Sequence, residues 1–175
     1  AHTIEIGQET VLFRHEEKFY RPPAVALQVS DTNDAEALRQ LCAAFRAIEL
    51  TRIGQTLRPD MIALLNDSGS AETLQAAAEI LHRELGVPLI VVASSVDPLL
   101  LTAVGPLAGT RPLLFCTGNV SVKCLAALAQ QANAPICVAG DLNSVAQRVE
   151  ELGKEGVRDI VISPGLVPAA DVLAF

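Results

Sequence analysis

The chain of 175 residues has no tryptophan, one methionine, one tyrosine and five phenylalanines, an aromatic share of 3%. A core of stacked rings is thereby excluded, and the apolar half of the composition comes from Ala, Val, Leu and Ile. Basic clusters are missing too: 13 Lys and Arg stand against 20 Asp and Glu, a net charge of −7. Phosphate backbones and anionic bilayers require a basic footprint, so nucleic acid and membrane surfaces are excluded as expected partners. No apolar run approaches the ~20 residues that cross a bilayer, and no charged-then-apolar leader opens the chain. A cytoplasmic protein is the resulting expectation. The four cysteines, Cys42, Cys116, Cys124 and Cys137, form no C-x-x-C pair, which predicts free thiols and neither a metal site nor a disulfide.

What the chain does have is a regular alternation of strand and helix signals. Short aliphatic runs at Ala24–Val29, Met61–Leu65, Leu89–Ala93, Leu113–Cys116, Ile136–Ala139 and Ile160–Ile162 are too continuously apolar to face water on one side. They predict strands covered on both faces, as in parallel sheets. Helical periodicity fills the gaps from Asp34 to about Leu50, Ser70 to Leu85, Asp97 to about Leu107, Val120 to Asn133 and Leu142 to Leu152. Ser70, Asp97 before Pro98, and Asp141 or Asn143 supply start signals for three of them.

Gly86-Val87-Pro88, Gly109 to Pro112, Ala132 to Pro135 and Gly156 to Asp159 each precede a strand and recur about every 23–24 residues. Six strand–helix units of one period imply crossovers of one hand. Two architectures fit, a (β/α)8 barrel and an open doubly wound sheet. The first strand is followed by Ser30-Asp31-Thr32-Asn33 and not by G-x-G-x-x-G, which disfavours the doubly wound nucleotide binder. The expected fold is therefore α/β of the TIM-barrel type, incomplete at about six of eight units. Residues 24–175 form this parallel domain. Residues 1–23 form an N-terminal segment in which Thr3–Ile6 and Thr10–Phe13 alternate across Gly7-Gln8-Glu9 and predict a β-hairpin. An incomplete barrel leaves two unpaired strand edges, so self-association or a tight partner is expected.

Function in such folds gathers past the carboxyl ends of the strands. Those positions carry Ser30 and Asp31; Asn66, Asp67 and Ser68; Ser94, Ser95 and Asp97; Thr117, Gly118 and Asn119; Gly140 and Asp141; and Ser163. Hydroxyls, amides and carboxylates dominate, without His, Lys, Arg or Cys, so no catalytic residue is assigned. Asp97 and Asp141 are expected to cap helices, and Asn66-Asp67-Ser68-Gly69 reads equally as a turn. Of the histidines, His82 is expected on a solvated helix face, while His15, between Arg14 and Glu16, is expected in packing or an interface.

The stretch Gly7-Gln8-Glu9-Thr10-Val11-Leu12-Phe13-Arg14-His15-Glu16-Glu17-Lys18-Phe19, with Pro22-Pro23 after it, resembles the approach to the barrel domain of the corrinoid iron-sulfur protein large subunit, the gamma subunit of the acetyl-CoA decarbonylase/synthase complex. Ala26–Asp31 and Val92–Pro98 look similar as well, and the likeness runs through the chain. The resemblance implies a TIM-barrel segment in a one-carbon methyl relay from methyltetrahydrofolate, or its methanopterin analogue, to the acetyl-CoA synthase. In that family cobalamin and a [4Fe-4S] cluster sit on domains outside the barrel, so no cofactor is expected on this segment, and Arg14, His15 and Glu16 serve as family markers. The implied partners are a companion barrel subunit, a methyltransferase and the acetyl-CoA synthase of the carbon monoxide dehydrogenase complex. The main expectation is a scaffold. The alternative is a pterin-binding methyltransferase barrel, to which the family's barrels are similar, with Asp31, Asn66, Asp67, Asn119 and Asp141 as the pterin rim.

Overall fold

The computed structural model describes residues 3–7, 21, 23–94 and 105–165. In chain order these form β1 (Ala26–Ser30), α1 (Ala35–Ala47), β2 (Leu50–Arg52), β3 (Gln55–Leu57), β4 (Met61–Leu65), α2 (Ala71–Leu85), β5 (Leu89–Ala93), a 3-10 helix (Gly105–Thr110), β6 (Leu113–Cys116), α3 (Val122–Ala132), β7 (Ile136–Ala139), α4 (Leu142–Lys154) and β8 (Ile160–Ser163). The bounds of β4 to β7 coincide with the aliphatic runs, because each run is bracketed by a turn-forming or Pro-containing segment.

Local chemistry sets the helix ends. Asp34, Ser70, Ser121 and Asp141 each adopt extended backbone, and their side chains accept from N–H groups of the first turn of α1, α2, α3 and α4. Gly86 and Asn133 end α2 and α3 in left-handed conformation, at φ of 65° and 47°, a region open to Gly and tolerated by Asn.

Three expectations need correction. The helix expected to run to Leu50 stops at Ala47, where Ile48 turns extended and its N–H closes on the carbonyls of Ala44 and Phe45. The chain then makes an antiparallel hairpin, β2–β3, which the helical pattern concealed because its turn is Ile53-Gly54 and not Asn-Gly. At the N-terminus, Thr3–Ile6 carry no strand assignment, and Thr10–Phe13, the other arm of the expected hairpin, fall outside the described residues. The helix expected from Asp97 also lies mostly outside them, and its end, from Gly105, is 3-10.

The six long strands form one parallel sheet in the order β1-β4-β5-β6-β7-β8, the order in which they occur in the chain. Right-handed crossovers place the connecting helices on one face. Neighbour then meets neighbour along that layer: α1 on α2, α2 and α3 on the 3-10 helix, α3 on α4. The register aligns Val29, Leu64 and Val91 in one row and Ile62 with Leu89 in the next. With Leu114 and Ile136 they form the floor of the core, against Leu38, Leu74, Leu81, Leu128 and Leu152 from the helices. The opposite sheet face carries Ala63, Ile90, Val92, Leu113, Phe115 and Val161, all half-buried. The protein is thus an α/β fold with a six-stranded parallel sheet and four α-helices among the described residues. No described helix is long and apolar enough to cross a membrane.

Candidate functional site

The ladder itself builds the rim. Past the strand ends, the N–H of Asp31 donates to Leu65 O (3.0 Å), that of Asn66 to Val92 O (2.9 Å), that of Thr117 to Ala93 O (2.9 Å) and that of Gly140 to Ser163 O (3.3 Å). These bonds carry the parallel pairing one residue beyond the strands and bring the predicted rim positions to one end of the sheet.

At that rim Asp31 is only 1% exposed, the buried polar residue of the described core. Both of its oxygens are taken: Oδ1 accepts from the Ser68 N–H at 2.9 Å and Oδ2 from the Ser68 hydroxyl at 2.6 Å. A hydroxyl has one proton, and the contact of Ser68 Oγ with Asn66 Oδ1 is the longer at 3.4 Å, so the proton goes to Asp31. Ser68 Oγ in turn accepts from the Ser70 N–H at 3.1 Å. The carboxylate therefore ties the end of β1 to the turn after β4. Sequence reasoning missed this partnership, since the two residues stand 37 apart and neither carries a local mark of it.

Asp141 is the expected cap. Its carboxylate accepts from the N–H groups of Asn143 and Ser144, both at 3.1 Å, and from the Ser144 hydroxyl at 2.7 Å. The Ser144 hydroxyl first, with the backbone N–H groups, holds this carboxyl below its ordinary range. Asp67 and Asn119 are exposed and make no hydrogen bond among the described residues, and Asn66 is half-buried with its amide N–H groups unused. Two of the five predicted pterin-rim residues are thus occupied by their own chain, and three offer free polar atoms. Arg14, His15, Glu16, Ser95 and Asp97 lie outside the described residues. His82 is half-buried and not on the expected solvated face, and its Nδ1 is buried without a hydrogen-bond partner among the described residues.

Thiol chemistry divides the cysteines. Cys42, Cys116 and Cys137 are buried, and Cys124 is exposed on the first turn of α3. Burial pushes the Cys116 and Cys137 thiols from the ordinary 9.0 up to about 11, and it raises Cys42 as well. Iodoacetamide at pH 8 is expected to modify one thiol in the native protein, Cys124, and all four after denaturation; fast labelling of Cys116 or Cys137 would contradict the packing. Above pH 9 the unfolded chain loses these protons while the folded chain keeps them, so stability falls from about pH 9 to about pH 11.

The amino ends of the strands serve architecture. Arg111, just before β6, donates from Nε to Asn133 O at 3.3 Å and pairs through Nη2 with Asp159 Oδ2 at 2.5 Å, linking the starts of β6, β7 and β8. This clamp holds Arg111 at a φ of 49°, a conformation otherwise unfavourable to a residue with a Cβ. A shallow cleft of about 200 Å³ opens beside it, floored by Ala129, Ala134 and Val157.

The corrinoid/iron-sulfur protein large subunit of Moorella thermoacetica is 31% identical over 93% of this chain and 36% of its own length. The acetyl-CoA decarbonylase/synthase complex subunit gamma of Methanothermobacter thermautotrophicus is 29% identical over 93% of the chain and 35% of its own. Subunit gamma 2 from Methanosarcina thermophila is 28% identical over 97% and 36%. The chain spans about a third of the length of these relatives. The resemblance read at Gly7–Pro23 is thereby matched along nearly the whole chain. Residues 1–174 match the family described as CO dehydrogenase/acetyl-CoA synthase delta subunit, and the chain belongs to that family.

Proposed function

We propose that this chain is a barrel-type scaffold segment in a corrinoid iron-sulfur protein system that moves a methyl group between methyltetrahydrofolate, or a methanopterin analogue, and the acetyl-CoA synthase/decarbonylase. The observation that carries the reading is the strand order, which follows the chain from β1 to β8 without reversal. A doubly wound sheet reverses direction at the switch point where it binds ligands, and a barrel does not. Both outer strands, β1 and β8, keep one side unpaired among the described residues, an arrangement that a companion barrel subunit or a second copy would cover. The rim agrees with a supporting role, since its buried carboxylate is spent on Ser68 and its capping carboxylate on α4.

The name of the Moorella thermoacetica relative implies a corrinoid and an iron-sulfur centre. The residues described here do not fit a cluster: three of the four cysteines are buried as neutral thiols, and no group of three His, Cys, Asp or Glu comes together among the described residues. The cleft of about 200 Å³ is also smaller than the ~300–1,000 Å³ of ordinary ligand pockets, and a corrinoid is a large ligand. In this reading both groups belong to other parts of a longer protein.

The test mixes the purified chain with the companion subunits of the complex and follows their assembly by size exclusion with light scattering. Co-elution, or a homodimer at micromolar concentration, is expected; a monomer that binds no companion subunit overturns the scaffold reading. A second reading, a pterin-binding methyltransferase barrel, is favoured by the free polar atoms of Asn66, Asp67 and Asn119. Calorimetric titration with methyltetrahydrofolate decides it: no heat, or heat unchanged in Asn119→Ala and Asp67→Ala, removes that alternative.

A further inference from the structure

The β2–β3 hairpin stands apart from everything the fold uses. All six of its strand residues are exposed, so neither of its faces rests on the body. Leu50 pairs with Leu57 on one face, 59% and 49% exposed, and Ile53 at the tip is 93% exposed. With Ile48, this short segment holds half of the exposed large hydrophobic residues described in the chain. The turn is costly as well. Ile53 and Gly54 have φ of 50° and 74°, a two-residue turn of the type for which Asn-Gly is the favoured pair, and a β-branched residue is disfavoured at its first position. Folding alone would be better served by Asn at position 53, so the exposed isoleucine has a use that packing among the described residues does not supply.

We propose that this hairpin is a docking arm, seating Leu50, Leu57 and Ile53 in an apolar groove flanked by a carboxylate on a companion protein subunit. The carboxylate follows from charge. Segment 48–58 carries two arginines against one glutamate in a chain of net −7. Arg58 is held by Glu49 at 2.5 Å, while Arg52, beside the tip and on the Leu50 face, has no partner among the described residues. An arm this small presents less than the roughly 800 Å² per partner of a stable flat interface, so a groove that wraps the tip suits it better than pairing with a second copy of the same arm. The hairpin leaves the chain between α1 and β4, at the sheet end opposite the rim, and docking there keeps Asn66, Asp67 and Asn119 open.

This inference rests on the scaffold reading, and one experiment separates them. The full chain, wild type or Ile53→Asn, is titrated with purified companion subunits of the acetyl-CoA decarbonylase/synthase complex, and amide exchange is read over residues 50–57. Asn-Gly suits the turn, so the variant is expected to keep the wild-type melting temperature while binding about tenfold or more weakly. Wild-type amides of the arm are expected to exchange more slowly in the complex. Leu57→Thr, which retains a strand former, gives a second test of the same face. Equal affinity of both variants and wild type, or unchanged exchange of the arm in an assembled complex, overturns the docking arm alone. A homodimer that Ile53→Asn dissociates also overturns it, because the occupant is then a second copy. Failure of wild type to bind any companion subunit overturns the scaffold reading itself, and the arm with it.

Discussion

Leu64→Ala is expected to lower the free energy of unfolding by about 2–5 kcal/mol, out of the ~5–15 kcal/mol typical of a domain. Leu64 is fully buried in β4, with Val29 and Val91 beside it in register and the helix layer above. The central position matters, because flanking strands and helices hold the site open and limit its collapse around the missing methyl groups. Urea unfolding measures it as a lower midpoint with unchanged slope. A loss below about 1 kcal/mol would mean that this sheet face is not packed as described.

Asp31→Ala is the second large effect, at about 2–4 kcal/mol, since it removes two hydrogen bonds to a charged acceptor, which contribute more than neutral ones, and empties a position that is only 1% exposed. The alanine removes the acceptor of both the Ser68 N–H and its hydroxyl and unties β1 from the turn after β4. Asp31→Asn keeps one carbonyl acceptor and is expected to recover part of the loss. Ser68→Ala leaves the carboxylate one backbone donor, and a double-mutant cycle with Asp31→Ala should show strong coupling. Additive effects would mean that the pair does not act as a unit. Asp141→Ala is expected to have a smaller effect, because that carboxylate is exposed and water replaces its partners.

The same contrast governs what was legible beforehand. Met61–Leu65, Leu89–Ala93, Leu113–Cys116 and Ile136–Ala139 were readable because a strand covered on both faces must be apolar at every position, and Pro or Gly marks where it begins. The Asp141 cap was readable because its donors lie two and three residues away. The β2–β3 hairpin was not, since Leu50 to Leu57 is exposed throughout and packing against the core imposes no pattern on it. Nor was the fate of His82, whose neighbours Arg83 and Glu84 suggested a solvated face while the helix turns its ring inward.

By itself, then, the sequence determined the parallel α/β class, four of the strand boundaries and the family, because burial and turn chemistry act on residues close together in the chain. Only the tertiary structure decided that the strands lie side by side in chain order, that Asp31 is committed to Ser68, and that one hairpin is left uncovered. Those outcomes depend on groups tens of residues apart, and whether a carboxylate is free or occupied is settled by what the fold brings against it.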